Sequence, residues 1–230
     1  MCIRDRVPTD CLAAILKSAL PEATSLELAF AGESRFSRGT AKTMLEGAPR
    51  GGAIREGGKI RRVRSAWKTR DVPFRDRKRL AVTIPWGDVA TAYRSTGIPN
   101  IVVYTAASPR MLKSMRRTRL IAPLIRLGPV RRWLERKIDR RVRGPDAATR
   151  QKARMQVWGR VTADSGRALE ATLETPEGYQ FTAMAAVECA RRVAGGGVPA
   201  GATTPSLAFG PRFVLEFGGC ILDEPHPAEA

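Results

Sequence analysis

The residues of this chain best suited to chemistry lie between positions 83 and 104, in TIPWGDVATAYRSTGIPNIVVY. Asp88 and Tyr104 are the groups there that can exchange a proton, one as a carboxyl and the other as a phenol. Trp86, Gly87, Thr91, Thr96 and Asn100 add an aromatic face, a turn and neutral hydrogen-bonding groups, the furniture of an active-site wall. Other chemistries are argued against by what the chain lacks. Its one histidine, His226, sits in an acidic, Pro-rich tail, so a Ser-His-Asp or Cys-His mechanism has no base. The four cysteines, Cys2, Cys11, Cys189 and Cys220, are scattered without a C-x-x-C pair, which points to neither a metal site nor a disulfide scaffold. Cys189, on an apolar helix with no base beside it, reads as packing and not as a nucleophile.

The elements that must hold this wall follow from local signals. Residues 80–84 are β-branched and apolar, and Pro85 ends the strand because it has no amide to donate. Asp88 either caps the short helix that follows, over 89–95, or acts as the catalyst. Thr96 and Gly97 close that helix, Ile98-Pro99 forces extended backbone, and 101–105 reads as a second buried strand. This spacing predicts a parallel crossover whose rim carries Trp86, Asp88, Thr91, Thr96 and Asn100.

Around it, a helix is expected to about Leu20, with Leu12, Ile15, Leu16 and Ala19 buried, then a strand over 25–31. Arg38-Gly39-Thr40 opens another helix, where Arg38 and Thr40 are either an ordinary cap and a solvated charge or substrate contacts. The glycine-rich stretch 51–59 fails as a Walker loop, since Ala53 and Ile60 stand where glycine and Ser or Thr are required; it reads as a turn feeding a meander. A hairpin is expected over 153–175, and an apolar helix over 181–193 with Met184, Val187, Cys189 and Ala190 inward. Residues 195–200 match Gly-x-Gly-x-x-Ala, but they follow a helix and not a strand, which defeats the dinucleotide reading.

At 230 residues, 43% hydrophobic and 27% charged, the chain is long enough for one substantial core. Its net charge of +18 is uneven: positions 109–143 hold thirteen Lys and Arg against two acids, +11 of that total. In the last helix of that segment Val130, Trp133, Leu134, Ile138 and Val142 form an apolar stripe opposed by Arg131, Arg132, Arg136, Lys137, Arg140 and Arg141. Three readings compete: a helix packed on the sheet with a solvated basic face, contact with an anionic membrane surface through Arg131, Arg132, Trp133, Arg136 and Arg140, or nucleic acid. The last is disfavoured because no recognition motif or stacking platform accompanies the charge. No apolar run is long enough to span a bilayer and no signal peptide is present, so a cytoplasmic protein, peripheral at the membrane if bound there, is expected.

Three stretches together carry a family resemblance: PWGDVATAYRSTGIPNIVVY, SRGTAKTMLEG over 37–47 and VPTDCLA over 7–13. They resemble the saccharopine dehydrogenase-like oxidoreductases, in particular the branch with the mycobacterial trans-acting enoyl reductases. The resemblance implies an α/β (α+β) fold: a mixed sheet of six or seven strands, covered by helices mainly on one face, as the second domain of a two-domain Rossmann oxidoreductase. It implies hydride transfer between NADP or NAD and a small-molecule or lipid-like substrate, a Rossmann domain ahead of position 7, and a homodimer. Pro8, Thr9, Asp10, Thr204 and Pro205 then lie by the cofactor. Arg38, Thr40, Trp86, Gly87, Thr91, Thr96 and Asn100 face substrate, and Asp88 and Tyr104 are the candidate catalysts. Residues 1–6, MCIRDR, read as a non-native leader, 7–20 as a junction helix, 21–195 as the catalytic or dimerisation domain with a basic insert at 109–143, and 196–230 as a return segment and tail. With no strand-linked fingerprint, this chain alone is expected to bind no cofactor, and its apolar docking face is left open.

Overall fold

The computed structural model describes residues 6–33, 36–144, 146–198 and 200–228. It is a mixed α/β fold built on one sheet of nine strands among the described residues. The expected leader falls mostly outside them, at 1–5, but Arg6 is described and packs into the protein.

Helix α1 (Val7–Ala19) leads into strand β1 (Ala23–Gly32). Helix α2 (Arg38–Gly47) is capped by Ser37, whose hydroxyl accepts from the Thr40 amide. Two hairpins follow, β2 (Gly52–Glu56) with β3 (Lys59–Val63) and β4 (Thr69–Pro73) with β5 (Lys78–Thr83). Gly57 and Gly58, at φ 54° and 76°, make the two-residue turn between β2 and β3, a left-handed conformation that side chains resist. Helix α3 (Asp88–Thr96) and strand β6 (Asn100–Ala106) complete the first half. The second half holds the basic helices α4 (Pro109–Ile125) and α5 (Gly128–Arg141), the short α6 (Ala147–Lys152), hairpin β7 (Arg154–Ala163) and β8 (Ala168–Pro176), α7 (Gly178–Ala194), α8 (Pro205–Phe209) and β9 (Ile221–Pro227).

The strand order is β3-β2-β6-β1-β7-β8-β9, with β5 also on β6 and β4 on β5. Apolar residues of one sheet face, among them Leu26, Leu28, Ile101, Val103, Val157 and Leu173, pack under α1, α3 and α7. The other face buries Ala29, Tyr104 and Trp158 under Val72, Phe74 and Ala81 of the β4–β5 hairpin. Helix α1 sits close on the sheet because Gly159 has no side chain: a Cβ there would lie 2.6 Å from Leu16 Cδ1 and 3.3 Å from Leu12 and Leu28.

Several expectations are corrected. The sheet has nine strands and not six or seven, because β2 emerges from the glycine-rich stretch and β9 from the tail. Pro225 and Pro227 lie in β9, at the sheet edge, where a missing amide costs no ladder bond. The strands flanking α3 are antiparallel, with Ala81 opposite Ala106 and Thr83 opposite Tyr104. Nine helical residues advance the chain about 13 Å, and β6 overshoots the end of β5 by about the same distance before running back beside it. The parallel partner of β6 is instead β1, with Ser25 opposite Asn100. In α7 the inward residues are Phe181, Ala185 and Cys189, while Met184 and Val187 are exposed. Ala19 is likewise exposed, and Pro123 lies inside α4 without ending it.

Candidate functional site

Three segments far apart in sequence meet beneath the start of α1. Residues 7–13 are all buried, because α3, α8 and the sheet close around them. The Thr9 hydroxyl donates to Asp88 Oδ1 at 2.7 Å and also lies 3.2 Å from the Arg6 carbonyl. Asp10 Oδ2 accepts from the Ser206 amide at 2.7 Å, and the Thr204 and Ser206 hydroxyls lie 3.3 Å apart. The Arg6 guanidinium fills the space a side chain at position 87 would take, so only glycine fits there with Arg6 in place. Trp86 stands half-buried beside the cluster, its ring centroid 5.0 Å from that of Phe30.

Asp88 is the electrostatic centre of this junction. It is the first residue of α3 and not its cap; Gly87 holds the cap position and makes no side-chain bond there. Its carboxyl is wholly buried and its pKa is pushed up to about 7, chiefly by loss of hydration, with nearby Asp10 adding to the rise and the Thr9 hydrogen bond and Arg6 opposing it. Asp88 Oδ2, Asp10 Oδ1 and Arg6 Nε, all buried, find no hydrogen-bond partner among the described residues. Near neutral pH such a carboxyl exists in both protonation states, which suits it to hold or give up a proton.

The other candidates separate into three places. Thr91 lies on α3, its hydroxyl directed to the Gly87 carbonyl at 3.3 Å. Thr96 and Asn100 lie at the far end of α3, about 12 Å from Asp88 along the helix axis. They are engaged with backbone: Thr96 with Ala92 O and the Ile98 amide, Asn100 with Thr24 O and the Gly57 amide. The expected single rim is thus split. Tyr104 is on the opposite sheet face from Asp88, donating to Glu27 Oε1 at 2.9 Å, while Arg70 meets the other oxygen of Glu27 at 2.6 Å. Burial and Glu27 push the Tyr104 phenol well above its ordinary value, so it keeps its proton. Arg38 and Thr40 belong to a third place, where Arg38 donates to the Val142 carbonyl at 3.0 Å and Thr40 meets the Tyr179 hydroxyl at 3.0 Å.

Two groups at these sites escaped the sequence reading. Arg6 was set aside with the leader, although it is the cation of the junction. Glu27 was legible as an acid inside the apolar strand LELAFA, a pattern that calls for a buried partner. A surface concavity of about 590 Å³ lies elsewhere, lined by Met184, Val187, Arg192 and Phe217 along α7. Desolvated polar groups converge at the buried junction, whereas this hollow is lined mainly by apolar side chains.

A nicotinamide dinucleotide does not fit the junction. Pro8, Thr9, Asp10, Thr204 and Pro205 do come together, but all are buried and leave no cradle. Among the described residues no group of His, Cys, Asp and Glu could hold a metal, and no helix is long and apolar enough to cross a membrane. Burial raises the Cys189 and Cys220 thiols to about 11 and the Cys11 thiol further, which keeps them protonated and unreactive. Neither a protein-family model nor a curated protein matches the sequence.

Proposed function

We propose that the chain is the substrate-side domain of a two-domain NAD(P)-dependent oxidoreductase of the saccharopine dehydrogenase-like kind, acting on a small or lipid-like substrate in the cytoplasm. The observation that carries this reading is the meeting of 8–10, 86–88 and 204–206 around one proton-holding carboxyl. These are the segments that the resemblance puts at the cofactor and substrate crevice. Asp88, wholly buried here, is then the carboxyl that stores the proton a reduction needs beside its hydride and gives it up only when the junction opens to substrate. The hydride itself comes from a nicotinamide held by a separate nucleotide domain, since the junction has no place for the dinucleotide. The apolar side chains exposed on α7, Met184 and Val187, are a candidate face for that domain or for a homodimer.

The test is a fluorescence titration of NADPH and NADH against the 230-residue chain and against the product of the upstream-extended reading frame. Saturable quenching by the extended product, with none by the shorter chain, is the expected result. An upstream frame without a strand-linked Gly-x-Gly-x-x-Gly segment, or an extended product that binds neither nucleotide, overturns the reading.

A further inference from the structure

The α4–α5 corner carries exposed apolar side chains and exposed arginines together. Ala122 and Ile125 turn inward and are buried, Arg126 donating to the Pro49 carbonyl beside them, while Ile121, Leu124 and Leu127 point away from the protein at 52%, 55% and 54% exposure. Ile121 and Leu124, three residues apart, lie on adjoining sides of the end of α4, and Leu127 follows in the extended link that starts α5. In α5, Val130, Leu134 and Ile138 are half-buried beside α2, an arrangement fixed by the Lys42–Asp139 ion pair and the Arg38 bond to Val142. Trp133 is left out of that packing at 58% exposure, with Lys137 over its ring at 5.0 Å.

Charge decides what covers these apolar groups. Both acids of the segment are already engaged, Glu135 with Arg131 and Asp139 with Lys42. Arg116, Arg117, Arg132, Arg136 and Arg140 are exposed around the corner. An anionic partner with an apolar interior satisfies both features at once, and a bilayer with acidic headgroups is such a partner. Nucleic acid would use the arginines and leave Ile121, Leu124 and Leu127 in water.

We infer that the α4–α5 corner docks on anionic lipid bilayers, with Ile121, Leu124 and Leu127 entering the headgroup boundary and the arginines of both helices contacting the acidic headgroups. The inference does not depend on the proposed reaction, and a protein that reduces nothing would dock in the same way. Insertion is shallow, since no described helix can span.

The test is sedimentation of the chain with phosphatidylcholine vesicles, with and without about 30% phosphatidylserine, and in parallel a gel shift with duplex DNA and with single-stranded RNA. The acidic vesicles are expected to bind at least about tenfold more tightly than neutral ones, and the charge-neutral Leu124→Gln/Leu127→Gln to lose about tenfold or more of that binding. Because both leucines are exposed, circular dichroism should show the double variant folded. Reversing Arg131, Arg132, Arg136 and Arg140 to Glu should abolish the preference for acidic vesicles. Binding unchanged by the leucine substitutions means surface adsorption and overturns the inference. So does an absence of vesicle binding, or nucleic-acid binding that exceeds it.

Discussion

The junction under α1 and the corner between α4 and α5 treat charge in opposite ways. At the junction, the carboxyl groups of Asp10 and Asp88 are buried among Val7, Leu12 and Val89, with half-buried Arg6 beside them. At the corner, arginines stand in solvent and α5 buries no residue at all. Desolvation therefore governs the first region and screened Coulomb forces the second. pH should act on the junction, salt on the corner, and each should barely affect the other.

The largest expected effect concerns Asp88. Its carboxyl titrates near 3.8 when unfolded and at about 7 when folded, so the folded state holds the proton more tightly. The stability of the protonated form is fully present below about pH 4 and is lost as pH rises through 7, by on the order of 4 kcal/mol. Asp88→Asn keeps the shape and an acceptor for Thr9 but cannot ionise. Urea unfolding at pH 4 and pH 8 should show the variant gaining on the parent by roughly that amount. Parallel stability curves for the two proteins would mean that the junction is wetter than its burial indicates.

Thr9→Val is next in size. It removes the hydroxyl that donates to Asp88 Oδ1, while Oδ2 already lacks a partner among the described residues. The expected loss is about 2 kcal/mol at pH 8, where the carboxylate is charged, and less at pH 5, where it is protonated. An equal loss at the two pH values would assign the effect to packing alone.

How much of this was legible in the sequence depends on the range of the interaction. The β7–β8 hairpin and the existence of α2 and α7 rest on neighbours in the chain, as does the break at Pro85 two residues past β5, and those signals were clear, although the inward face of α7 was not. The antiparallel pairing of β5 with β6 was not, because it depends on where a nine-residue helix delivers the chain and on β1 taking one edge of β6 while β2 and β5 share the other. Prolines weaken any strand signal in the tail, and the missing information was that β8 had an edge left to pair. At the site, residue types pointed to Asp88, while Thr9 and Asp10 came from the resemblance. The split of Tyr104 to the other face was readable from the alternation Ile101, Val103 against Val102, Tyr104. Ser206 could not be found from sequence, since its part is a backbone amide offered to an aspartate 196 positions away. In α5 the stripe Val130, Leu134, Ile138 was readable, but the exposure of Trp133 depended on which face α2 would cover.

The smallest effect separates the two regions most directly. Arg136 stands one helical turn from Arg132 on one side and from Arg140 on the other, and all three are exposed. Like charges four residues apart each cost a few tenths of a kcal/mol, and glutamine has nearly the helix propensity of arginine. Arg136→Gln removes both repulsions at once and should stabilise the protein by about 0.5 kcal/mol at low ionic strength. Salt shortens the reach of these forces, so the gain should vanish towards about 1 M NaCl, where the screening length is near 3 Å. The Asp88→Asn difference, set by burial, should persist in the same salt. If Arg136→Gln instead destabilises by more than about 1 kcal/mol at every ionic strength, the arginine is a packing residue, and the charge of α5 cannot be treated as free to meet a partner.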